Sequence, residues 1–388
     1  MLHFFGILGL LGHAGGQRIS VPQGLPPAVA VDVFNHGSCA YAAWPPSDLA
    51  SYGTRHTCSS QTDPNRGIGA ARDWIERMNV SVEGYLQEVN ERFPFPTQTS
   101  NVIARLEGSS DPSRVYVVSG HYSSRVTDID NYTDDAPSAN DDASRVVLVM
   151  ELAREEQGLY GAGYLAQTLR NASVNADLRD PNSIRVFAQG LPLAEDETQR
   201  AQRLTAGGGN DSPARQLARF IAEVGANDAT DMKVAIIHRL DRFPRGGDHR
   251  PFLEQGYSAV RFTEPNEIFA HQHQDNPIGN GQQFGDLPEF LDYEFGKRVA
   301  KVNMVALWSL AQAPGTVRNL TNNTSILGNN STFSWLPTNA PLWARVVDVG
   351  NVNTATVALS KDSVIFGVRS VGRNGHKSPA LFPCPTVA

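Results

Sequence analysis

Between Val115 and Leu310 the chain alternates short apolar strands with longer amphipathic helices, and this rhythm limits its fold more than any other feature. Strand signals fall at 102–106, 115–118, 184–187, 234–237 and 259–262. Helix signals fall between them. Ile68, Ala71, Trp74 and Ile75 recur at helical spacing within 67–78. A stripe of Ala143, Val146, Val147 and Met150 follows Asp142, another helix covers 214–224, and Val299, Val302, Ala306 and Leu310 mark a long one that ends before Pro314. Such alternation predicts an α/β fold, a three-layer sandwich with a mostly parallel central sheet. After Pro314 the pattern changes. An Asn-rich stretch leads to short β patterns at 332–335, 344–349, 354–359 and 364–371, with a turn signal at Asn374-Gly375. The expected organisation is therefore a main α/β domain over 20–313 and a small C-terminal all-β domain over 314–388.

A chain of 388 residues exceeds what one typical core requires. Its net charge of −7 and lack of a Lys/Arg run argue against nucleic acid as a partner. No stretch approaches the roughly 20 apolar residues that a membrane span needs. The longest apolar run, 4–11, precedes Ala14-Gly15-Gly16 and reads as the core of a leader over 1–16, although no basic residue but His3 stands before it. The other reading is a buried N-terminal segment. Sequons at Asn79, Asn131, Asn171 and Asn319, with a cluster running through Asn330, fit a secreted, extracellular glycoprotein. Of the three cysteines, Cys39 and Cys58 could pair in an oxidising compartment or could simply be small buried residues, with Cys384 left over.

Three pieces carry chemistry. In Val117-Val118-Ser119-Gly120-His121 an apolar strand delivers a histidine at its C-terminal end, where ligands gather in open α/β sheets. A packed or surface histidine would look the same. In Asn140-Asp141-Asp142-Ala143-Ser144, Asp142 could be a helix cap, whereas Asp141 could bridge two cations with one oxygen on each. Downstream, Gly246-Gly247-Asp248-His249 precedes Phe269-Ala270-His271-Gln272-His273-Gln274-Asp275. Two histidines two apart with nearby acids suit zinc, and they also suit a solvated loop. No Gly-x-Ser-x-Gly elbow is present, and Gly207-Gly208-Gly209-Asn210 lacks the Lys-Ser/Thr of a phosphate loop.

Joined by Glu155-Glu156-Gln157-Gly158-Leu159-Tyr160-Gly161, these motifs occur in a family order. Over roughly residues 50–313 the chain resembles secreted bacterial leucyl aminopeptidases, fungal aminopeptidases and glutamate-carboxypeptidase-like enzymes. The resemblance implies two zinc ions per chain and peptide substrates that lose N-terminal residues. His121 would bind one ion, Asp141 would bridge both, and Glu156 would be a further ligand. Glu155 would be the general base. His271 would hold the second ion, with His273 as the fallback, and Asp177 is the candidate for the remaining acidic ligand. Asp141-Asp142 would be the position of a strained peptide. Asp142, Asp248 and His249 would stand behind the ligands or beside the substrate. Two such ions about 3.5–4 Å apart would polarise the scissile carbonyl and acidify a water whose proton Glu155 takes. A monomer is expected.

The chain also departs from the pattern. Ser123 stands where the family has an aspartate that orients the first histidine, and Arg145 stands where it has glycine. The helix from Asp142 runs directly toward Glu155 and Glu156, with no room for the expected loop and strand of about 15–20 residues. At about 1.5 Å per residue, Glu155 would then lie roughly 20 Å from Asp141. Trp335 and Trp343 are similarly close together. Such losses fit removed coding segments or a decayed copy, and the second would make the chain a secreted pseudo-peptidase that acts as a binding protein. The expectation is that His121, Asp141 and His271 meet, and that Glu156 need not join them.

Overall fold

A computed structural model of the chain describes residues 4–9, 46–77, 81–87, 97–104, 115–153, 180–192, 195–205, 208–210, 212–243, 245–325, 330–336, 349–358, 366–372 and 375–385. Its main sheet takes β1 (Phe4–Gly9), and two helices follow, α1 (Pro46–Ala50) and α2 (Ile68–Glu76). A separate hairpin of β2 (Ser81–Gln87) and β3 (Thr97–Ile103) precedes β4 (Val115–Ser119). A wide helical turn, Ala139–Ala143, opens α3 (Ser144–Ala153). Then come β5 (Ser183–Phe187), α4 (Glu197–Thr205), α5 (Pro213–Gly225) and β6 (Lys233–Ile237). The short α6 (His249–Glu254) leads into β7 (Ser258–Thr263), and α7 (Tyr293–Gln312) closes the α/β region.

The main sheet has the order β4-β1-β7-β5-β6. Its core joins Leu148 of α3, Ile184 and Val186 of β5, Leu217, Phe220 and Ile221 of α5, Val260 and Phe262 of β7, and Val299 and Val302 of α7. Burying each of these large side chains contributes about 1.5–3 kcal/mol. The stripe of α5 explains its place, and Ser212 caps it by accepting the Arg215 N–H. A second cluster joins Leu49, Ala71, Trp74 and Ile75 to Val146, Val147 and Met150, so the face of α3 read from the sequence packs on α1 and α2.

The expected mostly parallel sheet is corrected by the register. Among the described residues of this sheet only β5 and β6 pair in parallel, while β1 runs antiparallel to both β4 and β7, and β7 antiparallel to β5. The reason lies in the strand beside β4, because β1 stands between β4 and β7 and runs opposite to both. A crossover from β4 through a helix places the next strand parallel beside β4. Among the described residues no strand follows α3 before β5, and β1 fills the place beside β4. Phe4–Gly9 lies within the apolar run 4–11 read above as a leader core.

Beyond residue 313, β10 to β13 are reached after two short strands, β8 (Ile278–Gly279) and β9 (Gln282–Gln283). They are β10 (Arg318–Asn322), β11 (Ser331–Leu336), β12 (Thr354–Val357) and β13 (Cys384–Pro385), in the order β12-β11-β10-β13. Val317, Leu320 and Phe333 form their own small core. The Arg369–Glu223 ion pair, 2.6 Å, ties this region to α5. No helix among the described residues is long and apolar enough to cross a membrane.

Candidate metal centre

β4 and β7 run in the same direction, because each is antiparallel to β1, and Ser119, Phe5 and Arg261 stand level across the sheet. Both strands therefore release their following loops at one edge. His121 follows β4 there, and the loop after β7 carries His273. Gly120 lets the strand end approach α3 closely. A Cβ at this position would stand 3.1 Å from the Arg145 Cβ and 3.2 Å from the Val146 nitrogen. Gly120→Ala is therefore expected to destabilise the chain by about 1–3 kcal/mol, read as a lowered Tm. An unchanged Tm would contradict this packing.

Asp141 is the pivot. One carboxylate oxygen, Oδ1, lies 3.3 Å from His121 Nε2, and the other, Oδ2, lies 3.0 Å from His273 Nε2. The Gln272 amide donates to Oδ2 at 2.9 Å. The carboxylate is only 3% exposed. Asp141 and Asp142 are joined by a cis peptide bond, at the position where the resemblance placed an unusual one. Two residues nearby take left-handed backbone, Ser138 (φ 42°) and His273 (φ 51°), a conformation that side chains other than glycine seldom adopt away from special sites.

Asp142 is not a helix cap, since α3 begins at Ser144. Its Oδ2 accepts the His121 backbone N–H at 2.8 Å, and its other oxygen pairs with Arg145. Both side chains are fully buried. Arg145, which stands where the resemblance expects glycine, is thus spent on Asp142. Burial raises the Asp142 carboxyl to about 7, with Arg145 and His121 opposing. Burial alone would lower His121, but the carboxylates of Asp142, Asp141 and Asp248 outweigh it and raise the imidazole to about 9. The support that Ser123 could not give as an aspartate comes from its backbone. The His121 Nδ1 lies 3.1 Å from the Ser123 carbonyl, which fixes the ring with Nε2 toward Asp141.

Two holders of the site had no local sequence signal. Asp286 accepts the Asn140 N–H at 2.9 Å and the Asp141 N–H at 2.6 Å, which sets the Asp141 backbone. Burial raises its carboxyl to about 6. Arg55, fully buried, donates to the carbonyls of Leu49, Tyr122, Pro137 and Ser138 and so clamps both ligand-bearing loops. Arg125 and Gln272 were missed as well. The Arg125 guanidinium lies 2.8 Å from His273 Nδ1.

Of the expected site residues, His121 and Asp141 meet. The expected third partner, His271, stands apart, and His273, the fallback for its role, meets Asp141 instead. A 3₁₀ turn, Phe269–His271, ends on His271 and stacks its ring on Phe290 with centroids 3.8 Å apart, and the extended Gln272 then carries His273 to Asp141. His249 is also turned away, with its buried Nε2 3.0 Å from the Leu240 carbonyl. Asp248 does line the cavity. Glu155, Glu156 and Asp177 lie outside the described residues, as does Cys39.

The cavity holds about 500 Å³ and is lined by His121, Asp141, Asp248, His273 and four arginines, among other residues. The donor set tests well against a metal. His121, Asp141 and Asp142 offer ligand atoms within 4.8 Å of one another. Two ligands about 2.0–2.1 Å from one tetrahedral zinc lie about 3.3 Å apart, close to both histidine–Asp141 separations. Neutral imidazole and carboxylate suit that ion.

Two imidazoles on one shared, buried carboxylate at an α/β sheet edge form a donor set of the kind that holds a catalytic metal. The comparisons agree. Residues 101–155 match the model of Peptidase family M28. A probable zinc metalloprotease of Pyrenophora tritici-repentis is 47% identical, covering 97% of this chain and 98% of its own. One of Pyricularia oryzae is 48% identical over 96% and 94%, and one of Leptosphaeria maculans 51% over 87% and 92%. Among solved structures, LapB of Legionella pneumophila is similar at TM-score 0.37 and 16% identity, covering 76% of this chain and 78% of that one. The chain belongs to peptidase family M28. The first match extends over 471 aligned positions of a 388-residue chain, so stretches of that relative have no counterpart here.

Proposed function

We propose that the chain is a secreted zinc-dependent exopeptidase that removes N-terminal residues from peptides, with two ions sharing Asp141. The observation that carries this reading is the placement of His121 on one Asp141 oxygen and His273 on the other. The names of the fungal relatives support zinc. The reading includes the three-layer sandwich, the appended β domain and a monomer, and it keeps Phe4–Gly9 in the chain as β1.

Zinc supplies Lewis acidity, which polarises a peptide carbonyl and acidifies water. The chain's residues do the rest. Asp142 and the Ser123 carbonyl hold His121 in orientation, and Asp286 holds Asp141. Asp248, on the cavity wall, is placed to receive the substrate ammonium. Glu155 is proposed to take the proton of the attacking water, and Glu156 and Asp177 to complete the ligand set. The test is hydrolysis of a panel of aminoacyl-p-nitroanilides with and without a chelator. Chelator-sensitive release supports the reading, and no release from any member removes it.

A pH dependence follows. His121 is raised to about 9, so near neutrality it carries a proton that zinc must displace. Between pH 7 and 9, zinc affinity should rise about tenfold per pH unit, then flatten as the imidazole loses its proton unaided. Competition titrations with a chromophoric chelator read this slope, and a flat profile would refute it.

A further inference from the structure

The cavity wall carries four arginines, Arg125, Arg242, Arg245 and Arg261. Three are committed. Arg261 pairs with Asp241, Arg242 with Asp241 and Glu267, and Arg125 with His273. Arg185 also pairs with Glu267 at 2.8 Å, so behind the wall three guanidinium groups share two carboxylates and leave a positive excess. Arg245 differs. Among the described residues no carboxylate pairs with it. Its guanidinium lies 5.6 Å over the ring of Phe269, a cavity residue that is itself 59% exposed. An aromatic face holds a guanidinium in place without neutralising it. A positioned cation on a wall where four arginines face two acids, Asp141 and Asp248, recognises an anion, and its planar fork matches a carboxylate.

We propose that Arg245 is a specificity-determining residue that binds a carboxylate of the peptide substrate. The proposal rests on the exopeptidase reading and deepens it. The carboxylate has two sources, an acidic side chain beside the scissile bond or the free C-terminus of a short peptide. Either would sit in the same field, which the neighbouring guanidinium groups strengthen and salt weakens.

The test is direct binding of dipeptide analogues whose peptide bond is reduced to a methyleneamine, measured by calorimetry on the full chain. Three probes are compared: one with a free C-terminal carboxylate, one capped as the amide, and one capped but bearing a Glu side chain. At least one carboxylate probe should bind about tenfold or more tightly than the neutral amide. Arg245→Met should bring that probe to the neutral amide's affinity, and Arg245→Lys should retain part of the preference. Whichever carboxylate probe shows the preference identifies the source. Equal affinities in the wild type, or an equal loss for all probes in Arg245→Met, would overturn the proposal. Because the probes are not cleaved, this result is independent of whether p-nitroanilides are hydrolysed, so the two readings can fail separately.

Discussion

Asp141→Asn is expected to lower kcat/KM by at least about 10³-fold and to empty the centre of zinc, while leaving the fold in place. An amide offers one carbonyl oxygen and an NH₂ group that cannot ligate, so it cannot hold an ion on each side. Losing the shared ligand removes several kcal/mol of electrostatic stabilisation, and each 1.36 kcal/mol is tenfold in rate. The fold should survive because the Asp141 backbone N–H keeps its bond to Asp286 and asparagine keeps the side-chain shape. Zinc content, activity on a p-nitroanilide and Tm read the three parts. Full activity in this variant would mean that chemistry takes place elsewhere.

The second large effect is on stability. Arg145→Ala should cost about 3–5 kcal/mol, because it leaves Asp142 fully buried without its guanidinium partner. That corresponds to a drop in Tm on the order of 10 °C. Asp142 is already raised to about 7 by burial, and Arg145 opposes that rise. Without Arg145 the carboxyl rises further and is uncharged at neutral pH, so it holds the His121 N–H less strongly. Zinc affinity should fall together with stability. Arg145→Met combined with Asp142→Asn should recover much of the stability, because no charge is then stranded. A Tm within 2 °C of wild type for Arg145→Ala would show that the pair contributes little.

The parts of the molecule that were legible in the sequence are those fixed by local pattern. The strands at β4, β5, β6 and β7 and the stripes of α2, α3 and α5 follow from periodicity within a few residues. His121 and Asp141 were legible because each stands at a strand end or helix start, where chain geometry aims the side chain. His271 misled because two histidines two apart look alike in sequence. A single 3₁₀ turn decides between them, and it spends His271 on Phe290. Strand direction misled because β1 is recruited from the far N-terminus, and nothing local to β4 announces its neighbour. Asp286 and Arg55 bind backbone atoms 145 and 67 residues away in sequence, respectively, and such partners leave no spacing to read.

The most direct measurement is an anomalous-difference map collected at the zinc edge on crystals of the zinc-loaded chain. The account predicts two peaks flanking the Asp141 carboxylate, one beside His121 and the other beside His273. No anomalous peak at Asp141, or one ringed by His271 instead, would contradict it.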